Sequence, residues 1–353
     1  MEEEGFGLRG RDSPGQWTGK QIPGRQRRMR NELFTALSLC VFACDGDTLL
    51  CRDGRAGKKK STSRRKEKMA AFFATKEEFP TILALKYLVA PLRFLGEGTY
   101  GFAIQARRKS QLRMSVIKVV ESKPEKDIYD GGLGEYLPPE VYFWRRVSHK
   151  HVASFVSSYR TEKFDFIIGE YFGETDLHEG VKRRGFFPAK EAFSILQQLI
   201  KGEIHMVHRE RIAHRDLKPS NILLGYHGGQ PLVKIIDFGL ASTVEEDGRV
   251  SKKMPGGAGY LSPECALGEQ YDAEKSEVFT LGVVLYFMLH GRYPFTDPVK
   301  KEAQIEHEQD LLLRALETDP QKRPSLLELQ SIVDRKHGML QAHSFVQLAQ
   351  LGV

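Results

Sequence analysis

His214-Arg215-Asp216-Leu217-Lys218-Pro219-Ser220-Asn221 is followed, sixteen positions after Asn221, by Asp237-Phe238-Gly239. Two aspartates, a lysine and an asparagine thus recur at spacings that suit phosphoryl transfer from a magnesium nucleotide. The carboxylate and amide oxygens are hard ligands of the kind Mg2+ takes.

Toward the N-terminus, Leu95-Gly96-Glu97-Gly98-Thr99-Tyr100-Gly101 is a GxGxxG between two candidate strands. Its glycines let the backbone approach phosphate oxygens and offer them N–H groups. Alone, a glycine-rich hairpin reads the same way. The weight comes from Lys118, 17 residues after Gly101, inside the apolar run Val116-Ile117-Lys118-Val119-Val120. A lysine in a buried strand is costly without an anionic partner. Glu140, which opens a helical stretch to Val147, is a suitable partner, with Glu135 the alternative if the helix is placed differently. Beyond the central motif, Phe193 to Met206 and Val278 to Leu289 read as strongly apolar helices.

These motifs together resemble the eukaryotic protein kinase family, serine/threonine type, over about residues 88–337. The resemblance implies an α+β, two-lobed fold: a small β-rich N-lobe (88–170), a larger helical C-lobe (171–337) and a short C-terminal tail (338–353). It implies ATP and Mg2+ as cofactors and a protein as phosphoryl acceptor. Lys118, paired with Glu140, would reach the α- and β-phosphates under the loop of Gly96, Glu97, Gly98 and Gly101. Asp216 would take the proton of the attacking hydroxyl, Lys218 would neutralise the transferred phosphoryl group, and Asn221 and Asp237 would hold magnesium. Adenine would lie between Leu95, Ala103 and Val116 above and Leu223 below, bound by the backbone of Glu170 to Phe172. Lys218 also implies serine or threonine acceptors.

Asp237 to Glu264 spans 28 residues, an ordinary activation-segment length for the family. Ser262-Pro263-Glu264 stands where the family has Ala-Pro-Glu, and Arg323 matches the arginine that pairs with that glutamate. Arg215 matches an arginine that often receives an activation-loop phosphate, for which Ser251 and Thr243 are the available acceptors. Ser251 is favoured by its neighbours Arg249, Lys252 and Lys253.

Several positions depart from the family. Gly257 replaces a threonine that braces the catalytic loop. Glu277 replaces the aspartate of Asp-Val-Trp, and its extra methylene is expected to shift hydrogen bonds to the catalytic-loop backbone. Only 23 residues separate Phe295 from Asp319, so a docking helix is expected to be short or missing. These changes keep a pseudokinase scaffold as the alternative to an active enzyme; the Glu264 and Arg323 pairing argues against a small-molecule kinase. Two departures look compensating. Ala103 and Val116 exchange the usual valine and alanine around adenine, nearly conserving volume. Gly169 leaves a gap at the back of the adenine site, and Trp144, one turn after Glu140, is expected to fill it.

The net charge of +7 is unevenly distributed. Residues 1–70 carry 16 Lys/Arg and 9 Asp/Glu, a balance of +7, whereas residues 71–353 carry 37 of each. The kinase-like part therefore has no global nucleic-acid-binding charge, and only weak contacts by the basic segment are expected. Residues 1–80 read as a basic, mostly disordered segment. Within it, Lys58 to Lys66 reads as a nuclear import signal, an anionic-surface contact or a solvated charged linker, and the expected location is cytoplasmic or nuclear. The run Leu33 to Cys44 is too short to span a bilayer, which needs roughly 20 residues. Cys40, Cys44, Cys51 and Cys265 show no CxxC spacing, so zinc is not indicated.

Overall fold

The computed structural model describes residues 87–97, 101–108, 114–173, 175–250, 260–267, 270–295 and 310–350. Residues 1–80, Gly98, Ser251 and Gly257 lie outside the described residues.

The N-terminal part is an antiparallel sheet. Strands β1 (Tyr87–Glu97), β2 (Gly101–Arg108) and β3 (Met114–Glu121) follow in order, then β6 (Phe155–Arg160) and β7 (Phe164–Glu170), giving the spatial order β1-β2-β3-β7-β6. The period-2 pattern sets the faces of β3: Ser115, Ile117 and Val119 are buried, and Val116, Lys118 and Val120 share the other, half-buried face. Residues 165–169 of the internal strand β7 are all buried.

Between β3 and β6 the chain forms a hairpin, β4 (Ile128–Asp130) and β5 (Glu135–Leu137), and a short helix α1 (Pro139–Trp144). Proline at the first helical position fixes the start. The helix is shorter than the Glu140 to Val147 stretch expected from sequence. Its last turn tightens: Arg146 and Val147 donate three residues back, to Phe143 and Trp144.

The C-terminal part is mainly helical. β8 (Thr175–Asp176) leads into α2 (Leu177–Arg184), capped by the Asp176 carboxylate, and α3 (Ala189–Ile204) follows. β9 (Ile212–Ala213) precedes the catalytic loop, and the hairpin β10 (Ile222–His227) and β11 (Gln230–Ile235) follows it. Gly228 and Gly229 both take positive φ, as this two-residue turn demands. β12 (Ser242–Thr243) returns to pair with β9. β13 (Arg249–Val250) pairs with β14 (Tyr271–Asp272), with α4 (Pro263–Leu267) between them in sequence.

Helix α5 (Ala273–His290) is the core of this part. It is buried on nearly every side, which its continuous apolar sequence requires. Asp272 caps its start and Gly291, at φ 68°, ends it. The six-residue α6 (Asp310–Ala315) packs on it. Residues 296–309, most of the stretch between Phe295 and Asp319 where a docking helix was expected to be short or missing, lie outside the described residues. Helix α7 (Leu326–Gln350) continues through most of the stretch read as a C-terminal tail, so residues 338–350 are the end of a helix. Among the described residues, no helix is long and apolar enough to cross a membrane.

Candidate active site

Lys118 is on the half-buried face of β3. Its ammonium donates to Glu140 Oε1 at 2.7 Å and to Asp237 Oδ1 at 2.9 Å. Burial pulls the ammonium toward its neutral form, but the two carboxylates outweigh this and raise its pKa. Burial also raises Glu140, against the attraction of Lys118. At Asp237 the attraction of Lys118 overcomes burial and holds the carboxyl below its usual range. Glu135 is exposed on β5, so Glu140 is the partner.

The catalytic loop gathers its groups locally. Lys218 Nζ donates to both Asp216 carboxylate oxygens, at 2.9 and 2.8 Å. Asn221 Nδ2 donates to the Asp216 carbonyl at 2.8 Å and to Oδ2 at 2.9 Å. This fixes the amide orientation and turns the Asn221 side-chain carbonyl oxygen into the atom left for a cation. Mg2+ characteristically takes one or two carboxylates and completes its shell with water and substrate phosphates. Among the described residues, no cluster of three or more acidic, histidine or cysteine side chains holds a metal by itself. Asp237 with Asn221 is a hard-oxygen set that fits an ion shared with phosphates.

Arg215 and Asp237 both take left-handed backbone conformations, at φ 66° and 74°. Such strain costs about 1–3 kcal/mol per residue and persists only where the surroundings hold it. Here the Arg215 N–H donates to Glu277 Oε1 at 3.0 Å. Glu277 therefore reaches the catalytic-loop backbone despite its extra methylene. Buried His214 accepts from the Asp216 N–H on Nδ1 at 3.3 Å, which leaves Nε2–H to donate to the Ile236 carbonyl at 3.1 Å. Burial lowers its pKa and keeps it neutral.

The expected adenine-site residues Leu95, Ala103, Val116 and Leu223 are all half-buried. Ala103 pairs opposite Lys118, and Val116 opposite Gln105, so the exchanged pair shares the face that carries Lys118. Gly101 has a reason beyond phosphate approach: a Cβ there would lie 1.9 Å from the Val119 carbonyl oxygen. Glu170 is held by Lys234 Nζ at 2.8 Å and by the Ser154 N–H at 3.0 Å. The Phe172 ring covers Gly225, where a Cβ would come within 3.1 Å of it. At the back, the Trp144 indole lies against Gly169, as expected from their positions.

Downstream, Arg323 and Glu264 form a two-pronged pair at 2.6 and 2.9 Å. The Arg323 side chain is fully buried and also donates to the carbonyls of Lys275, Glu317 and Thr318. Thr243 is exposed in β12, opposite Ile212, and Arg215 is buried.

A family profile for the protein kinase domain matches residues 89–336. The chain belongs to the protein kinase family. It is 32% identical over 249 residues to a probable serine/threonine-protein kinase of Dictyostelium discoideum, covering 67% of this chain and 29% of that protein. It is 31% identical to human NUAK family SNF1-like kinase 2 over 58% of this chain and 31% of the relative. Against a carbon catabolite-derepressing protein kinase of Candida tropicalis the identity is 32%, over 58% of this chain and 32% of the relative. The chain thus matches about a third of the length of these relatives.

Sequence reasoning missed the β4–β5 hairpin of this kinase domain and its braces. Arg145 bonds Asp130 at 3.2 Å, and Arg160 bridges Asp127 and Asp165. The signal was Asp130-Gly131-Gly132 between two tyrosine-bearing runs, a turn pattern in plain view.

Glu203 was also missed. This α3 residue is fully buried, and neither carboxylate oxygen has a hydrogen-bond partner among the described residues. Burial and the nearby charge of Glu277 raise its pKa well above the ordinary range, and burial raises Glu277 to about 7. Between about pH 4.5 and 7 the folded chain therefore holds more protons than the unfolded chain. That contribution to stability is complete below pH 4.5 and is lost as pH rises through 7. A Glu203→Met variant is expected to gain about 1–3 kcal/mol at pH 8, with a flatter dependence of Tm on pH. A variant whose Tm falls between pH 5 and 8 as steeply as wild type would show that Glu203 carries no such penalty.

Proposed function

We propose that this chain is an ATP-dependent serine/threonine protein kinase that transfers the γ-phosphoryl group to protein hydroxyls. The observation that carries the reading is the meeting of Glu140 and Asp237 on Lys118, at 2.7 and 2.9 Å, beside an intact Asp216, Lys218 and Asn221 cluster. Asp216 accepts the proton as the hydroxyl oxygen attacks phosphorus; the bond to the ADP oxygen breaks. Lys218, already on the Asp216 carboxylate, places positive charge where the transferred group passes. Lys118 aligns the phosphates and Glu140 keeps the lysine aimed. Bound Mg2+ would neutralise phosphate charge from its place on Asp237 and Asn221.

The scaffold alternative loses one ground, since Glu277 still accepts the Arg215 N–H. Ser251, flanked by Arg249, supports regulation by an upstream kinase, and Lys58 to Lys66 supports a cytoplasmic or nuclear location with weak nucleic-acid contacts at most. Purified chain incubated with Mg2+, labelled ATP and a generic basic protein is expected to label serine and threonine, and a chelator is expected to abolish the signal. Folded protein that binds ATP yet transfers nothing would favour the scaffold.

A further inference from the structure

We propose that Asp130 and Arg145 are positioning residues for phosphoryl transfer: the β4–β5 hairpin clamps the six-residue helix α1 at both ends and so keeps Glu140 on Lys118. The proposal rests on the kinase reading.

Helix α1 cannot hold Glu140 by itself. Isolated helices shorter than about 12 residues are marginal in water, and no side chain caps the start of this one. The hairpin supplies the missing constraints. It enters the helix through Leu137, which is buried, and through Pro138-Pro139, whose rings fix the backbone. It reaches the far end through Asp130. There Oδ2 accepts from Nη1 of Arg145, the residue that closes the helix, at 3.2 Å. Oδ1 of the same carboxylate accepts from the N–H groups of Gly132 and Leu133, at 2.9 and 3.1 Å. The turn therefore fixes the carboxylate that the helix meets.

Charge, more than apolar packing, ties the hairpin to the sheet. Tyr129 and Tyr136 lie against each other at 5.1 Å but are 55% and 66% exposed, and a lone two-stranded hairpin is marginal in water. Its base is gripped at Asp127, whose carboxylate is buried. The Arg160 guanidinium donates to both oxygens of Asp127 and to both of Asp165. Arg160 and Asp165 face each other across β6 and β7, in the five-stranded sheet that also carries Lys118. One path thus runs from the sheet through Arg160, Asp127, the hairpin and Asp130 to Arg145. Loss of the Asp130–Arg145 pair frees the end of α1 to turn, and Glu140 turns with it.

The clamp is testable with the full chain, at a temperature where every variant is folded. Asp130→Asn keeps an oxygen for the turn and removes the charge that holds Arg145. It is expected to lower kcat about fivefold, with the KM for ATP changed by less than about twofold. Arg145→Gln is expected to do the same, and the double variant to lose no more than either alone, because one pair carries the effect. The deciding comparison is made in Glu140→Ala, where no carboxylate is left to aim. Asp130→Asn is expected to change kcat there by less than about 1.5-fold, whereas a merely structural hairpin would lower it as much as in wild type. Amide hydrogen exchange reads the clamp without catalysis: residues 141–144 are expected to exchange at least about tenfold faster in Asp130→Asn. The proposal is overturned if Asp130→Asn leaves kcat within about twofold of wild type, or if its loss is as large in Glu140→Ala. Wild-type transfer is measured first. Its absence with Mg-ATP bound would defeat the kinase reading, and exchange at 141–144 would then decide the clamp, unchanged rates overturning it.

Discussion

Asp216→Asn is expected to lower kcat by about a thousandfold while leaving Mg-ATP affinity within about threefold of wild type. Two facts set that split. The Asp216 carboxylate is bonded to Lys218 and Asn221 and makes no contact with Lys118, so the nucleotide-binding groups keep their own partners. Asparagine preserves size but keeps only one acceptor oxygen of the two; with that oxygen at the Oδ2 place it retains the bond from Asn221 and one of the two from Lys218, and an amide cannot accept the hydroxyl proton. Initial rates with a serine-containing substrate, paired with a direct ATP titration, separate the two effects. A loss under about tenfold would remove Asp216 from the role of base.

The largest effect on stability is expected at Arg323. Truncation to alanine leaves Glu264 without its partner and removes the donor from the carbonyls of Lys275, Glu317 and Thr318. Breaking a buried pair by deleting one member costs about 3–5 kcal/mol, because the survivor stays desolvated. The guanidinium also lies 4.8 Å from the Phe279 ring centroid, so packing is lost with the charge. In thermal unfolding this corresponds to a fall in Tm of about 10 °C for a domain of this size. Arg184 and Glu191 form an equally short, two-pronged pair at 2.8 and 2.7 Å, but Arg184 is well exposed. Arg184→Ala is therefore expected to cost under about 1 kcal/mol. Equal losses at the two sites would mean that burial is not what gives the Arg323 pair its weight.

The catalytic loop was largely legible from sequence because its chemistry is local. Asp216, Lys218 and Asn221 fall within six residues, and a short loop closed by a 3-10 turn at Pro219 leaves those side chains little choice but to meet. The Arg323 match was legible through its motif, but not the three backbone carbonyls that share it. The β4–β5 hairpin was missed although Gly131, Gly132 and Gly134 offered a turn, because its strands are three residues each, too short for a period-2 pattern to show. Glu203 was missed for a different reason: a single glutamate near the end of an apolar helix pattern can still face water, and only packing against α5 shows that this one does not.

By itself the sequence named the residues expected to carry the chemistry, the strand that holds Lys118, and the pairing of a small residue at 169 with a large one at 144. Alternation along a strand and spacing along a helix are local consequences of backbone geometry, so they survive without coordinates. The tertiary structure decided that Glu140 rather than Glu135 reaches Lys118, and that Asp237, 119 residues away, shares it. It also decided that the Trp144 indole is stacked on Phe238 and anchored on Ala153. Those outcomes depend on how a five-stranded sheet, a six-residue helix and a strained turn close around one ammonium group, where burial makes each unmade bond costly and so selects the one arrangement that makes them all.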